Sequence, residues 1–135
     1  MTDRPDKPTR IGITTTIPVE AVFAAGAAPV DLNNVFVTSP DARRLIDHAE
    51  RDGLPRNGCS WIKGIYSVAT AEASGLDAVV AVTEGDCSNA AILAEILERR
   101  GVRTISFGYP PNRDPGDLRH VIDRLCRELG TTFAE

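Results

Sequence analysis

Two of the three cysteines in this chain stand in the same local setting. Cys59 follows Gly58, Cys87 follows Gly85-Asp86, and each opens a stretch with the apolar spacing of a helix. A helix start supplies free backbone N–H groups and the positive end of a dipole, both of which favour a thiolate. Such a cysteine can serve as nucleophile, redox thiol or metal ligand, and the setting also suits ligation of an iron-sulfur cluster. The separation of 28 positions matches neither the tight ferredoxin run nor a zinc C-x-x-C knuckle. The two sulfurs therefore meet only if both loops lie at one edge of a sheet. The competing reading is two small residues buried where helices pack closely. Cys126 differs, because it belongs to the apolar stripe Leu118, Val121, Ile122, Leu125 and Leu129 and reads as a buried small hydrophobe.

Around these cysteines stand a few polar candidates. Glu20 follows the Thr14-Thr15-Thr16 run in the first turn of an expected helix. It reads either as an acid favoured there by the dipole or as a general acid/base, with the hydroxyls of Thr15 and Thr16 as donors. Asp86 and Ser88 either cap the helix after Gly85 or orient whatever Cys87 holds. Lys63 is a solvated charge or the partner of an anionic substrate, and Trp61 a packing anchor. His48 and His120 fall on the solvent sides of their helices, so a Ser-His-Asp or Cys-His mechanism lacks its base. No phosphate-binding glycine motif is present.

These residues are positioned by an alternation of strands and helices. The apolar run 78–82 reads as a central strand buried on both faces. It breaks at Gly85 and resumes with helical spacing at Ile92, Leu93, Ile96 and Leu97. Residues 11–16 form another strand, and Pro18 opens a helix that stops at Gly26. Residues 29–32 and 35–37 look extended, separated by the turn signal Asn33-Asn34. Ser39-Pro40-Asp41 starts a helix up to Gly53. The helix from Cys59 runs to about residues 74–75, residues 102–107 make a strand, and Asp114-Pro115 start the last helix, which Gly130 ends. A single doubly wound α/β domain over residues 10–135 follows, Rossmann-like or flavodoxin-like, with three layers and a mostly parallel sheet, after a loose lead-in at residues 1–9. In such sheets ligands bind beyond the carboxyl ends of the strands, where Cys87 falls.

Composition narrows the partners. A net charge of −4 without a basic stripe argues against nucleic acid or an anionic membrane. The most apolar stretch, residues 21–30, is too short for a span and is interrupted by Gly26 and Pro29. The N-terminal residues lack the apolar segment of a signal peptide, so a cytoplasmic location is expected, and an odd cysteine count there suits reduced thiols.

The order Pro18-Val19-Glu20, Ala24-Ala25-Gly26, Pro29-Val30-Asp31-Leu32, then Cys59-Ser60-Trp61-Ile62-Lys63-Gly64, then Gly85-Asp86-Cys87-Ser88-Asn89 resembles the N-terminal domain of the 2-hydroxyacyl-CoA dehydratase family. It is similar to the D-component type, related to benzoyl-CoA reductase subunits and double-cubane cluster proteins, over about residues 10–112. The resemblance implies that Cys59 and Cys87 ligate a 4Fe-4S cluster. It further implies that an ATP-dependent activator protein injects one low-potential electron. The electron reaches a bound (R)-2-hydroxyacyl-CoA, whose ketyl radical expels the hydroxyl to leave an enoyl-CoA. By the same analogy Glu20 moves protons, while Thr15, Thr16, Lys63 and Ser88 border the substrate. The family's subunits are several times longer and draw the third cluster cysteine from a later domain. A second subunit, or a two-fold mate presenting its own Cys59 and Cys87, is then expected to complete the site.

Two other readings stand beside this one. The fold and its thiols suit a non-catalytic interaction or electron-carrier domain with an incomplete cluster site. They also suit a redox-sensing protein, if Cys59 and Cys87 come within disulfide reach.

Overall fold

A computed structural model describes residues 9–71, 74–85 and 87–131. Strands and helices alternate as β1 (Thr9–Ile13), α1 (Val19–Ala24), β2 (Ala27–Asp31), α2 (Leu32–Thr38), α3 (Ala42–Arg51), α4 (Ser60–Thr70), β3 (Ala78–Glu84), α5 (Asn89–Arg99), β4 (Thr104–Gly108) and α6 (Pro115–Leu129). The sheet order is β2-β1-β3-β4 and every pairing is parallel. The expected three-layer α/β domain is present.

Both faces of the sheet are covered, which is why β3 reads as an unbroken apolar run rather than an alternation. One face presents Ile11, Ile13, Val80, Val82, Ile105 and Phe107 to a cluster that includes Val22 of α1 and Leu125 and Cys126 of α6. The other presents Val79 to Ile65, Leu93 and Leu97 of α4 and α5, with Leu32 and Phe36 of α2 and Ala49 of α3 in the same cluster. Small residues set the approach of α2. Gly12 leaves room for Leu32, whose methyl carbons lie 3.0 and 3.2 Å from where a Cβ would stand. At Gly64 a Cβ would overlap the Phe36 ring outright.

Several local expectations need correction. Residues 35–37 are not extended but lie in α2. The Asp31 carboxylate caps that helix, accepting from the Asn34 backbone N–H at 3.1 Å, so Asn33-Asn34 form a first turn instead of a reversal. Leu32 and Phe36, four apart, are buried, while Val35 and Val37 face solvent, and a helical stripe therefore outweighs their β-branching. Pro18 is the N-cap of α1 and not its first residue. Helix α4 stops at Thr70 because Ala71 turns extended (ψ 130°). Strand β1 begins at Thr9, the last position of the expected lead-in, whose other residues lie outside the described ones, as does Asp86.

Candidate functional site

The site grows from the way β1 and β3 part company. They are hydrogen-bonded neighbours, yet β1 feeds α1 on one face and β3 feeds α5 on the other. A crevice opens at such a reversal of winding, beyond the carboxyl ends of the strands. Here it is a cavity of about 610 Å³. The turn after β1, with Thr15 and Thr16, forms one wall. Cys59 and Trp61 at the start of α4 form another, Asp31 and Asn33 at the β2–α2 junction a third, and Cys87 stands after β3. Two cysteines 28 positions apart thus border the same space as the threonine run.

The walls are tied together by specific bonds. Thr14 is 1% exposed; its backbone N–H donates to the Val80 carbonyl and its hydroxyl oxygen accepts from the Val82 N–H, each at 3.2 Å. The β1–β3 pairing is thereby prolonged to the cavity's edge. The Tyr109 hydroxyl donates to the Thr16 carbonyl at 2.8 Å, and the Tyr109 ring sits edge-on to Phe107 at 4.9 Å between centroids. Burial pushes the Tyr109 hydroxyl pKa up, which keeps it a donor. Gly85, at φ +86°, passes so close that a Cβ there would lie 2.9 Å from the Tyr109 Cβ. Opposite, the Trp61 indole N–H donates to the Asn33 side-chain oxygen at 2.8 Å.

The cysteines separate by environment. Cys126 is 3% exposed in the core, and its thiol is pushed upward by burial first and by Asp123 second. Cys59 is half-buried and Cys87 exposed, and all three are free thiols. Close packing as a small residue describes Cys126 in full and Cys59 in part, since Cys59 also packs against the cluster around Ile62 and Ile65, whereas Cys87 is exposed.

Of the remaining candidates, Glu20 is exposed in the first turn of α1, next to the cavity-lining Val19. Ser88 is exposed at the N-cap of α5 without a capping bond from its side chain. Neither lines the cavity. Lys63 is no solvated charge, being 2% exposed. Its ammonium donates to the Glu50 carboxylate at 2.7 Å and to the Arg56 carbonyl at 2.8 Å, and the first of these bonds holds the Glu50 pKa below the usual carboxylate range. It braces the loop that leads into Cys59. Burial of a lysine demands this pairing, and its partner on α3 carries no motif by which sequence could reveal it.

His48 keeps a side chain 45% exposed, as its place on the solvent side of α3 leads one to expect, but it also has partners. Its Nδ1 lies 3.1 Å from the Ser67 hydroxyl, which itself donates to the Leu45 carbonyl. Its Nε2 lies 3.8 Å from the Asp52 carboxylate, and its ring stacks on Tyr66 at 6.3 Å. The Tyr66 hydroxyl donates to Asp52 at 2.7 Å. That bond lowers the Asp52 pKa, while burial first and Asp52 second raise that of Tyr66. The Ser67-His48-Asp52 succession is structural, since Ser67 is 2% exposed and its proton is engaged. His120 is exposed as expected.

Asp31, Asn33, Ile13, Ile17 and Val19 also line the cavity, although none of them carries a chemical motif in the sequence. The signal available was their place at the ends of β1 and β2, the same edge as Cys87. Among the described residues no group of three or more His, Cys, Asp or Glu could hold a metal ion, and no helix is long and apolar enough to cross a membrane. A family profile described as 2-hydroxyglutaryl-CoA dehydratase, D-component, matches residues 14–135. No curated protein matches the chain.

Proposed function

The chain belongs to the 2-hydroxyglutaryl-CoA dehydratase D-component family, and from that premise we propose that Cys59 and Cys87 are two thiolate ligands of a 4Fe-4S cluster at this cavity. The observation that carries the reading is that both thiols, with Thr15 and Thr16, line one crevice at the β1–β3 edge. Thiolates are the usual donors to such clusters, and two of them supply half of a four-cysteine set. The other donors come from a second subunit, or from the same two residues of a two-fold mate. Cys59 and Cys87 would hold two corners of that cluster, which would lend one low-potential electron, supplied by an ATP-dependent activator protein, to an (R)-2-hydroxyacyl-CoA and recover it once hydroxide and a proton have left, so that the net reaction is loss of water to give the enoyl-CoA.

The chain's own residues prepare that chemistry. Thr15 and Thr16 offer hydroxyl and backbone donors to the thioester oxygen, held in place by the Tyr109 bond to the Thr16 carbonyl. Glu20 does not line the cavity but follows the lining Val19, so its part in moving protons is confined to substrate that extends beyond the cavity toward the solvent side of α1. Lys63 contributes by holding the loop before Cys59, a positioning role rather than a contact with substrate.

The test is iron and acid-labile sulfide content, with an EPR spectrum, on protein isolated without oxygen together with any subunit that accompanies it. Cluster in the wild type and its loss in Cys87→Ser is the expected result. Equal iron in both, or iron-free wild type in that complex, overturns the proposal. The two-donor set also favours a second reading, an electron-carrier or interaction domain without turnover. It is distinguished by a reconstituted complex that binds cluster but forms no enoyl-CoA when activator and ATP are added.

A further inference from the structure

The cavity's lining is unusual for a site that would take a dicarboxylate. Among the described residues that border it, Asp31 carries the one carboxylate, and none is Lys, Arg or His. The Asp31 carboxylate is fixed in place by the Asn34 backbone N–H at 3.1 Å. The basic residue nearest in sequence to this wall, Lys63, is spent on Glu50 and the Arg56 carbonyl. Apolar surface comes from Ile13, Ile17, Val19 and Trp61.

We propose that this cavity takes a neutral, apolar acyl chain and discriminates against a dicarboxylate such as a glutaryl group. The proposal rests on reading the cavity as the acyl site. A hydrocarbon chain gains by leaving water against isoleucine and indole surface. A second carboxylate would lose part of its hydration without a cation to receive it and would stand beside a like charge, the exposed Asp31 carboxylate. Rejection by a fixed like charge is an economical route to specificity, because one residue excludes a whole class of competitor. The cavity of about 610 Å³, part of which a cluster on Cys59 and Cys87 would take, falls within the range of small-molecule sites, roughly 300–1,000 Å³.

Trp61 is the chain's single tryptophan and lines the cavity, so its fluorescence reports occupancy without turnover. Hexanoyl-pantetheine and glutaryl-pantetheine are titrated against the protein with any accompanying subunit. The hexanoyl thioester is expected to shift Trp61 emission saturably and to bind at least about tenfold more tightly than the glutaryl one. Asp31→Asn, which keeps a good helix cap, narrows that gap, and Val19→Lys narrows or reverses it. Equal or tighter binding of the glutaryl thioester to the wild type overturns this inference while leaving the cavity as an acyl site. If neither thioester moves Trp61 emission, the acyl-site reading fails and this inference falls with it.

Discussion

The indole N–H of Trp61 donates to the side-chain oxygen of Asn33 at 2.8 Å, across 28 positions of sequence. This bond ties the start of α4, two residues past Cys59, to the first turn of α2, and both partners border the cavity. The wall that carries Cys59 is therefore held from the β2 side of the sheet.

Removing that bond should loosen the wall. Asn33→Ala is expected to destabilise the fold by about 1 kcal/mol and to red-shift Trp61 emission as water reaches the indole. Urea denaturation followed by fluorescence measures both. An unchanged spectrum and midpoint would show that the bond contributes nothing to the wall.

The Phe36 ring occupies the space beside the Gly64 backbone. Gly64→Ala is expected to cost about 1–3 kcal/mol despite the better helix propensity of alanine, because overpacking outweighs it. Phe36→Leu in the same chain should recover part of the loss. A Gly64→Ala variant as stable as the wild type in thermal denaturation contradicts the packing.

Stability should weaken in acid for a stated reason. Glu50 and Asp52 have pKa values lowered from the ordinary 4.5 and 3.8, first by hydrogen bonds from Lys63 and Tyr66 respectively. Groups whose folded pKa is depressed stabilise the fold above the unfolded value, and that contribution disappears as pH falls toward the folded one. The loss should begin near pH 4.5 and continue downward. Tyr66, raised from 10.0 by burial and then by Asp52, acts in the opposite window and gives up its contribution as pH rises past 10. Tyr66→Phe should flatten both arms of a stability–pH curve measured by urea unfolding. Arms as steep as those of the wild type would refute the assignment.

Thiol chemistry should follow exposure. Cys87 is expected to react first with a disulfide reagent, Cys59 next, and Cys126 only on unfolding, given its burial and raised pKa. Peptide mapping over time gives the order, and early labelling of Cys126 would contradict the core packing.

Much of this architecture was legible because it depends on short-range signals. The run 78–82 announces a doubly covered strand, and Asp114-Pro115 announce the cap of α6, where Asp114 accepts from the Gly116 N–H at 2.9 Å. That Cys59 and Cys87 border one cavity was foreseeable only on the condition that both loops lie at one sheet edge. What stayed hidden depends on contacts between distant segments. Val35 and Val37 looked like strand because their β-branching is local, whereas the burial of Leu32 and Phe36 that makes α2 is tertiary. Lys63 looked solvated because its partner Glu50 lies on a neighbouring helix and follows no spacing rule. Asp31 and Asn33 gave no chemical signal of their own and acquire one only from the cavity they face.

The central claim is that Cys59 and Cys87 act together at one cavity. Iron per chain, measured without oxygen in the assembled complex for Cys59→Ser, Cys87→Ser, their double variant and Cys126→Ser, tests it most directly. Either cavity variant should lose as much iron as the double variant, while Cys126→Ser should keep the wild-type amount. Iron that survives both single substitutions, or that depends on Cys126, would contradict it.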